Sequence, residues 1–301
     1  MESHHLNLEK AEMVPLRLEQ VAGFKERTND VVYCKPLVDS SSTKVVIFFP
    51  GDVQDYIENM EANHDVEIYK KWNLESCASD LQNKFSECHI LVIRPCKLHC
   101  KMISCFGNFV TSSEDGVPTY TPNYDSFRHL NRLLKGVEER LVGQSNEGSS
   151  SEEWNSQQKL NLLQLDLIII GFSKGCVVLN QFLYELHHFK SNEFDEEVDA
   201  VTGRIRDMFW LDGGHSGGKN TWVVDENVLK TLSLADINVH VVVTPYQIED
   251  VNRPWIQIEE NLFSTRLLEY NCKLERKQHF MNSCPTLLNH FRLLNVFERS
   301  A

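Results

Sequence analysis

The stretch LDLIIIGFSKG, residues 165–175, decides the fold of this 301-residue chain. Its first part is an almost continuous aliphatic run, which predicts a strand buried on both faces, as in a parallel sheet. The residues from about Lys174 to Phe189 carry apolar side chains at helical spacing and predict an amphipathic helix. The sequence therefore predicts a buried strand that turns sharply into a helix.

The pentapeptide GFSKG at this turn has the Gly-x-Ser-x-Gly pattern of a nucleophile elbow. In such a turn the serine backbone is strained, and the flanking glycines let strand and helix approach closely. The hydroxyl then lies at the carboxyl end of the sheet, near the positive end of the helix. We expect Ser173 to be a nucleophile; the alternative is an ordinary turn with a capping serine.

A second match, GHSGG at residues 214–218, makes Ser216 an alternative nucleophile. The residues after it show no helical pattern, so no helix would present this serine. Ser173 follows the fifth predicted strand and leaves three more, whereas Ser216 follows the sixth. An α/β-hydrolase sheet places its nucleophile after the fifth of eight strands, which favours Ser173.

Outward from this turn, short aliphatic runs alternate with helical patterns. Two antiparallel strands followed by strand–helix alternation predict an α/β class protein. The expected architecture is an α/β-hydrolase fold with an eight-stranded, mostly parallel, doubly wound sheet. The predicted strands are 16–21, 31–37, 44–49, 89–94, 165–170, 208–211, 239–244 and 273–277, and the predicted helices are 72–85, 124–141, 174–189, 227–235, 255–270 and 286–297.

One domain over 1–301 is the expected organisation. Residues 143–158, rich in Ser, Asn, Glu and Gln, are predicted to form a flexible insertion within it.

A nucleophilic serine needs a histidine base and a carboxylate that orients it, in the chain order Ser, acid, His. Asp250, in the loop after the seventh strand, is the favoured acid, and the alternatives are Glu249 beside it and Asp212 after the sixth strand. His279, at the end of the eighth strand, is the favoured base, and His290 in the last helix is its rival.

Acyl transfer also needs hydrogen-bond donors for the developing oxyanion. One expected donor is the backbone N–H of Lys174, directly after the nucleophile. The other is expected from the turn after the third strand, formed by Gly51, Asp52 and Val53. A carboxylate near an oxyanion is repulsive, so the side chain of Asp52 must point away from it.

Composition excludes several other functions. The formal net charge of −13 argues against a nucleic-acid partner, because phosphate binding needs clustered Lys and Arg. Apolar runs are too short to span a membrane, and no cofactor is required.

The nine cysteines lack framework spacing, which favours reduced thiols and a protein that is not secreted. Cys96, His99, Cys100 and Cys105 match no standard metal spacing, so no metal is predicted.

The acidic excess is concentrated in a few connecting segments. Residues 52–67 hold six acids and no Lys or Arg. If this segment lines the mouth of the site, we expect poor turnover of strongly anionic substrates.

Several strings also carry a family resemblance. FPGDVQ at 49–54, GFSKGCVVLNQ at 171–181 and WLDGGHSGG at 210–218 are the longest, and shorter ones surround Asp250, His279 and His290. Together they resemble the esterase-like α/β-hydrolase family of eukaryotic mitochondrial proteins whose human member was named as a chromosome 2 open reading frame. The resemblance runs from about Asn29 to Phe297. It supports Ser173 and Asp250 and does not separate the two histidines.

The resemblance implies a serine hydrolase without an established substrate, and a mitochondrial location. The short, acidic N-terminus shows no import presequence, which leaves a cytoplasmic location as the alternative. We expect hydrolysis of a small-molecule acyl ester or thioester. The alternative is a non-catalytic module that binds a protein partner or ligand, through the same pocket or through a surface around Trp222 and Trp255.

Overall fold

An eight-stranded sheet forms the centre of the computed structural model, which describes residues 14–38, 43–146, 160–192 and 195–298. Two further pairs of short strands lie outside this sheet. In chain order the strands are β1 (Leu16–Ala22), β2 (Thr28–Cys34), β3 (Lys44–Phe49), β4 (His89–Ile93), β5 (Lys97–His99), β6 (Ile103–Cys105), β7 (Thr111–Ser112), β8 (Pro118–Thr119), β9 (Asp166–Phe172), β10 (Ile205–Leu211), β11 (Asn238–Val243) and β12 (Leu274–Gln278).

Strand order confirms the expected α/β-hydrolase architecture. The strands lie in the order β1-β2-β4-β3-β9-β10-β11-β12. β2 runs antiparallel to both of its neighbours, and the other neighbouring pairs are parallel. Parallel neighbours need crossover connections, which is why helices alternate with these strands. β9 is the fifth strand of this sheet along the chain, and three follow it, as the sequence predicts.

Helices cover both faces of the sheet. Alternate side chains of β3 belong to two apolar clusters: Val45 and Ile47 to one, Val46 and Phe48 to the other. Both clusters are buried, so the sheet is doubly wound. The helices are α1 (Ile57–Glu61), α2 (Leu74–Lys84), α3 (Ser126–Asn146), α4 (Cys176–Asn192), α5 (Glu196–Thr202), α6 (Glu226–Leu234), α7 (Pro245–Ile248), α8 (Pro254–Glu269) and α9 (Leu287–Val296), with 3-10 turns at Glu67–Trp72, Leu162–Gln164 and Ser173–Gly175.

The segment between β4 and α3 differs most from the sequence expectation. It contains the hairpins β5–β6 and β7–β8, whose strands have two or three residues each and were not predicted. Strands this short carry too few residues for an alternation pattern, and isolated hairpins depend on packing for their stability.

The predicted insertion at 143–158 begins inside α3, which continues to Asn146. Its remaining residues, 147–158, lie outside the described residues. The one-domain organisation over 1–301 stays a prediction. Within the described ranges, no helix is both long enough and apolar enough to cross a bilayer.

Candidate active site

Ser173 occupies a sharp turn between β9 and α4. Its φ is 51°, in the left-handed region that non-glycine residues adopt rarely and at a cost. The side chain is 7% exposed, at the carboxyl end of the central strand. The turn therefore holds a hydroxyl group in a strained and defined position.

Two glycines make this turn sterically possible. A Cβ at Gly171 would lie 2.8 Å from the Cα of Cys176, on the far side of the turn. A Cβ at Gly175 would lie only 2.0 Å from the carbonyl oxygen of Phe49, at the end of β3. Both distances are shorter than any carbon side chain tolerates, so the backbone itself fills the space beside Ser173.

Asp212 directly follows β10, which is the strand next to β9. Its carboxylate is fully buried. Oδ1 accepts a hydrogen bond from the backbone N–H of Thr244 (2.8 Å), and Oδ2 accepts one from the Thr244 hydroxyl (2.5 Å). These bonds fix the carboxylate and offset part of the cost of its burial.

His290 lies on α9 and is 2% exposed. Its Nδ1 lies 2.6 Å from Oδ2 of Asp212. Because a carboxylate only accepts, this contact places the proton on Nδ1 and leaves Nε2 to act as a base. The ring also stacks on Phe172 (centroids 4.5 Å apart) and makes a tilted contact with Tyr246 (4.7 Å).

The register of the sheet brings this pair beside Ser173. Leu211 of β10 pairs with Phe172 of β9, so Asp212 and Ser173 are the next residues on adjacent parallel strands. Such strands lie about 4.8 Å apart. The His290 ring rests on Phe172, the residue that precedes the serine. The register therefore places Ser173 beside Asp212, whose carboxylate contacts His290, and no hydrogen bond between Ser173 and His290 is present among the described residues.

Asp250 and His279, which the sequence favours as acid and base, do not form a pair like that of Asp212 and His290. Oδ2 of Asp250 accepts a hydrogen bond from Nε of Arg253 (2.7 Å), which holds the pKa of that carboxyl below its usual range. The Nε2 of His279 is buried without a hydrogen-bond partner in the described part of the chain. No contact between Asp250 and His279 is present among the described residues, so the expected pairing does not form there.

Strand position explains this difference. His279 follows β12, the edge strand, which lies three strands away from β9. Its backbone N–H donates to the carbonyl of Val243, which continues the ladder with β11. The chain then needs α9 to return toward the centre of the sheet, and His290 is carried there by that helix.

Ser216 is exposed and lies in an irregular segment between β10 and α6. No helix starts beside it, as the sequence pattern predicts. Trp222 is 1% exposed and packs against Phe263, so its own side chain is not at the surface. Trp255 is half-buried.

Two of the expected oxyanion donors are already engaged. The N–H of Gly51 donates to the side-chain oxygen of Gln54 (2.7 Å), and the N–H of Val53 donates to the carbonyl of Met102 (2.6 Å). Lys174 lies in the first turn of a helix, where backbone N–H groups have no partner within the helix. The N–H groups of Lys174 and Asp52 are therefore the two that remain for an oxyanion.

The side chains of Asp52 and Lys174 are both buried and affect each other's pKa. Oδ1 of Asp52 accepts a hydrogen bond from the N–H of Ser104 (2.7 Å), away from the oxyanion position that the sequence pattern assigns to its backbone. Burial raises the pKa of Asp52, and Lys174 opposes that rise. Burial lowers the pKa of Lys174, and Asp52 opposes that fall.

Sequence reasoning missed the role of Thr244, which holds the Asp212 carboxylate through two hydrogen bonds. The available signal was the string TPYQ after β11, because residues that end neighbouring parallel strands meet at one edge of the sheet.

In the described ranges, no group of three His, Cys, Asp or Glu side chains could hold a metal ion.

Comparison with known proteins adds to this geometry. The model of the C2orf69 family matches residues 17–161 and 143–273. A mouse protein named mitochondrial protein C2orf69 homolog is 38% identical over 285 residues, which cover 84% of this chain and 77% of the mouse protein. A zebrafish protein with the same name is 34% identical over 295 residues, covering 94% and 85%. Among solved structures, esterase Est22 covers 93% of this chain and 74% of its own, at 10% identity and a TM-score of 0.46.

Proposed function

This chain belongs to the C2orf69 family, and from the site it builds we propose that it is a serine hydrolase that cleaves a small-molecule ester or thioester. The relatives are named as mitochondrial proteins, so the activity is expected in mitochondria. The single observation that carries the proposal is the 2.6 Å contact between His290 and Asp212, formed beside the strained Ser173.

Each residue has a defined task in the proposed reaction. Oγ of Ser173 attacks the substrate carbonyl, and Nε2 of His290 takes its proton. Asp212 holds the imidazole in the required tautomer and stabilises the imidazolium that forms. His290 then gives the proton to the leaving oxygen or sulfur, which departs as an alcohol or thiol.

The oxyanion of the tetrahedral intermediate would be bound by the N–H groups of Lys174 and Asp52. Donors that are already positioned for developing charge supply a large share of catalysis in acyl transfer. Water then attacks the acyl-enzyme, His290 takes a proton from it, and the carboxylic acid is released while Ser173 regains its proton.

A fluorophosphonate probe tests this proposal, because it reacts with activated serines. We expect the folded wild-type chain to be labelled, Ser173→Ala to be unlabelled and Ser216→Ala to be labelled normally. Labelling should also be lost in His290→Gln and kept in His279→Gln, which separates the two candidate bases.

Circular dichroism and thermal melting confirm that each variant is folded. A folded wild-type chain that does not react would overturn the hydrolase proposal and leave the non-catalytic binding module. Labelling that survives Ser173→Ala would show that another residue is the nucleophile.

A further inference from the structure

The side-chain amine of Lys174 has no use in the proposed reaction, which needs only its backbone N–H. Lys174 directly follows Ser173 and its side chain is 1% exposed. In the described part of the chain, its Nζ is a buried atom without a hydrogen-bond partner. Burying an unpaired amine is costly, so its retention points to a partner that a ligand supplies.

The amine lies near Gly116, in the segment that contains the hairpins β5–β6 and β7–β8. A Cβ at Gly116 would lie 3.5 Å from Nζ of Lys174 and 3.0 Å from Sγ of Cys105. Gly116 has a φ of +75°, which favours glycine at this position. A Cβ there would be in ordinary van der Waals contact with the amine.

The nearby carboxylate of Asp52 does not satisfy Lys174. The two groups influence each other's pKa, so they are within electrostatic range. No direct ion pair joins them among the described residues, and Oδ1 of Asp52 is occupied by the N–H of Ser104. Asp52 opposes the fall in the pKa of the Lys174 amine without accepting a hydrogen bond from it.

Two other basic side chains near the site each make a hydrogen bond. Nε of Arg253 donates to Asp250 at 2.7 Å. Nδ1 of His215 accepts a hydrogen bond from the N–H of Gly217 at 3.0 Å, and burial lowers the pKa of His215 to about 4. His215 is therefore neutral near pH 7, and Lys174 is the amine near the site that is buried without a hydrogen-bond partner among the described residues.

The acidic segment 52–67 does not present an unopposed negative charge, although its composition suggests one. Four of its six acids form ion pairs with Lys or Arg side chains. These pairs are Asp55 with Arg94, Glu58 with Arg17, and Glu61 and Glu67 with Lys70.

We propose that Lys174 binds a carboxylate of the substrate, so that the preferred substrate is a half-ester or half-thioester of a dicarboxylic acid. This proposal rests on the proposed function for its catalytic part. A carboxylate fits better than a phosphate, because phosphate sites bring several converging donors, whereas Lys174 offers one compact charge. The expectation from composition, poor turnover of anionic substrates, is thereby reversed for substrates with one carboxylate.

Matched esters test the specificity. We expect the wild-type chain to hydrolyse the p-nitrophenyl half-ester of glutaric acid with a higher kcat/KM than p-nitrophenyl pentanoate. Lys174→Met should lower the ratio of the two values by about 30-fold, the loss typical of a buried charge contact. Lys135→Met, which removes an exposed lysine on α3, should leave the ratio unchanged. A wild-type chain without preference, or equal losses on both esters in Lys174→Met, would overturn the proposal.

A binding measurement separates this proposal from the hydrolase proposal. Calorimetry with Ser173→Ala should detect glutarate and not its neutral diamide, with affinity lowered about 30-fold when Lys174→Met is added. Because the comparison of glutarate with the diamide leaves Lys174 intact, it holds even if that variant fails to fold. Glutarate binding without ester hydrolysis would support the carboxylate site while the hydrolase proposal fails. Equal binding of the diamide, or equally tight binding of inorganic phosphate, would overturn the carboxylate assignment.

Discussion

Nδ1 of His290 lies 2.6 Å from Oδ2 of Asp212, and the two residues are 78 positions apart in the chain. Both are almost completely buried, and Thr244 donates two hydrogen bonds to the same carboxylate. The imidazole is thereby fixed in orientation and tautomer beside Ser173.

Replacement of the buried carboxylate should abolish most of the activity. In Asp212→Asn, the amide oxygen is expected to accept from the N–H of Thr244, so the amide NH2 faces Nδ1 and donates to it, and His290 then carries its proton on Nε2. We expect kcat for an activated ester to fall by about 10³–10⁴-fold, as when the acid of a Ser-His-Asp triad is removed. Asp250→Asn, measured in the same assay, should remain near wild type. A larger loss in Asp250→Asn than in Asp212→Asn would assign the acid to Asp250.

A methyl group at the Ser173 turn should prevent stable folding. The Cβ of Gly175→Ala would lie 2.0 Å from the carbonyl oxygen of Phe49, and backbone on both sides would have to move. We expect a loss of more than about 4 kcal/mol in the free energy of unfolding, measured in urea. Gly218→Ala is the control, because nothing lies within 4 Å of its Cβ. Similar midpoints for the two variants would contradict the close contact.

Glu259 should hold the loop that follows β10. Its carboxylate accepts hydrogen bonds from the N–H groups of Asn220 (2.7 Å), Thr221 (2.6 Å) and Trp222 (3.2 Å), and from the Thr221 hydroxyl. Glu259→Ala leaves these donors without an acceptor, so we expect a loss of about 3 kcal/mol in unfolding free energy and faster proteolysis within residues 216–222. Glu269→Ala, an exposed position on the same helix, is the control. Equal protease resistance in both variants would refute this role.

Stability should fall as the pH is lowered, partly through His129. This fully buried ring accepts from the N–H of Phe24 at Nδ1 and contacts Asn29 through Nε2, and burial lowers its pKa to about 3. The unfolded chain, with an ordinary pKa near 6.5, binds more protons below that pH. The stability that His129 contributes is therefore fully present above about pH 6.5 and is lost as the pH falls toward 3.

The comparison of wild type with His129→Gln isolates this contribution. Between pH 6 and 4, the slope of unfolding free energy against pH should be shallower in the variant by about 1.4 kcal/mol per pH unit, the value for one proton. Parallel curves for the two proteins would show that His129 titrates normally in the fold.

Local hydrophobic patterns predict the central strands and helices, because the spacing of apolar residues depends on which faces of an element are buried. The apolar run at 165–170 predicts a strand that is buried on both faces, and β9 lies in the middle of the sheet. The two hairpins between β4 and α3 escape prediction because their strands are too short to show a period. Their position is set by what they pack against: Cys105 and Lys174 lie so near Gly116 that a Cβ there would be 3.0 Å and 3.5 Å from them.

The candidate acid and base depend on long-range packing. By itself, the sequence determined the α/β-hydrolase class, the turn that carries Ser173 and a short set of carboxylates and histidines at the ends of later strands. The tertiary structure alone decided that Asp212 and His290 meet, while Asp250 pairs with Arg253 and His279 stays at the sheet edge. The physical reason is that hydrophobic periodicity specifies a strand or helix and its buried face, whereas pairing between residues 78 positions apart depends on strand order and on the return path of α9.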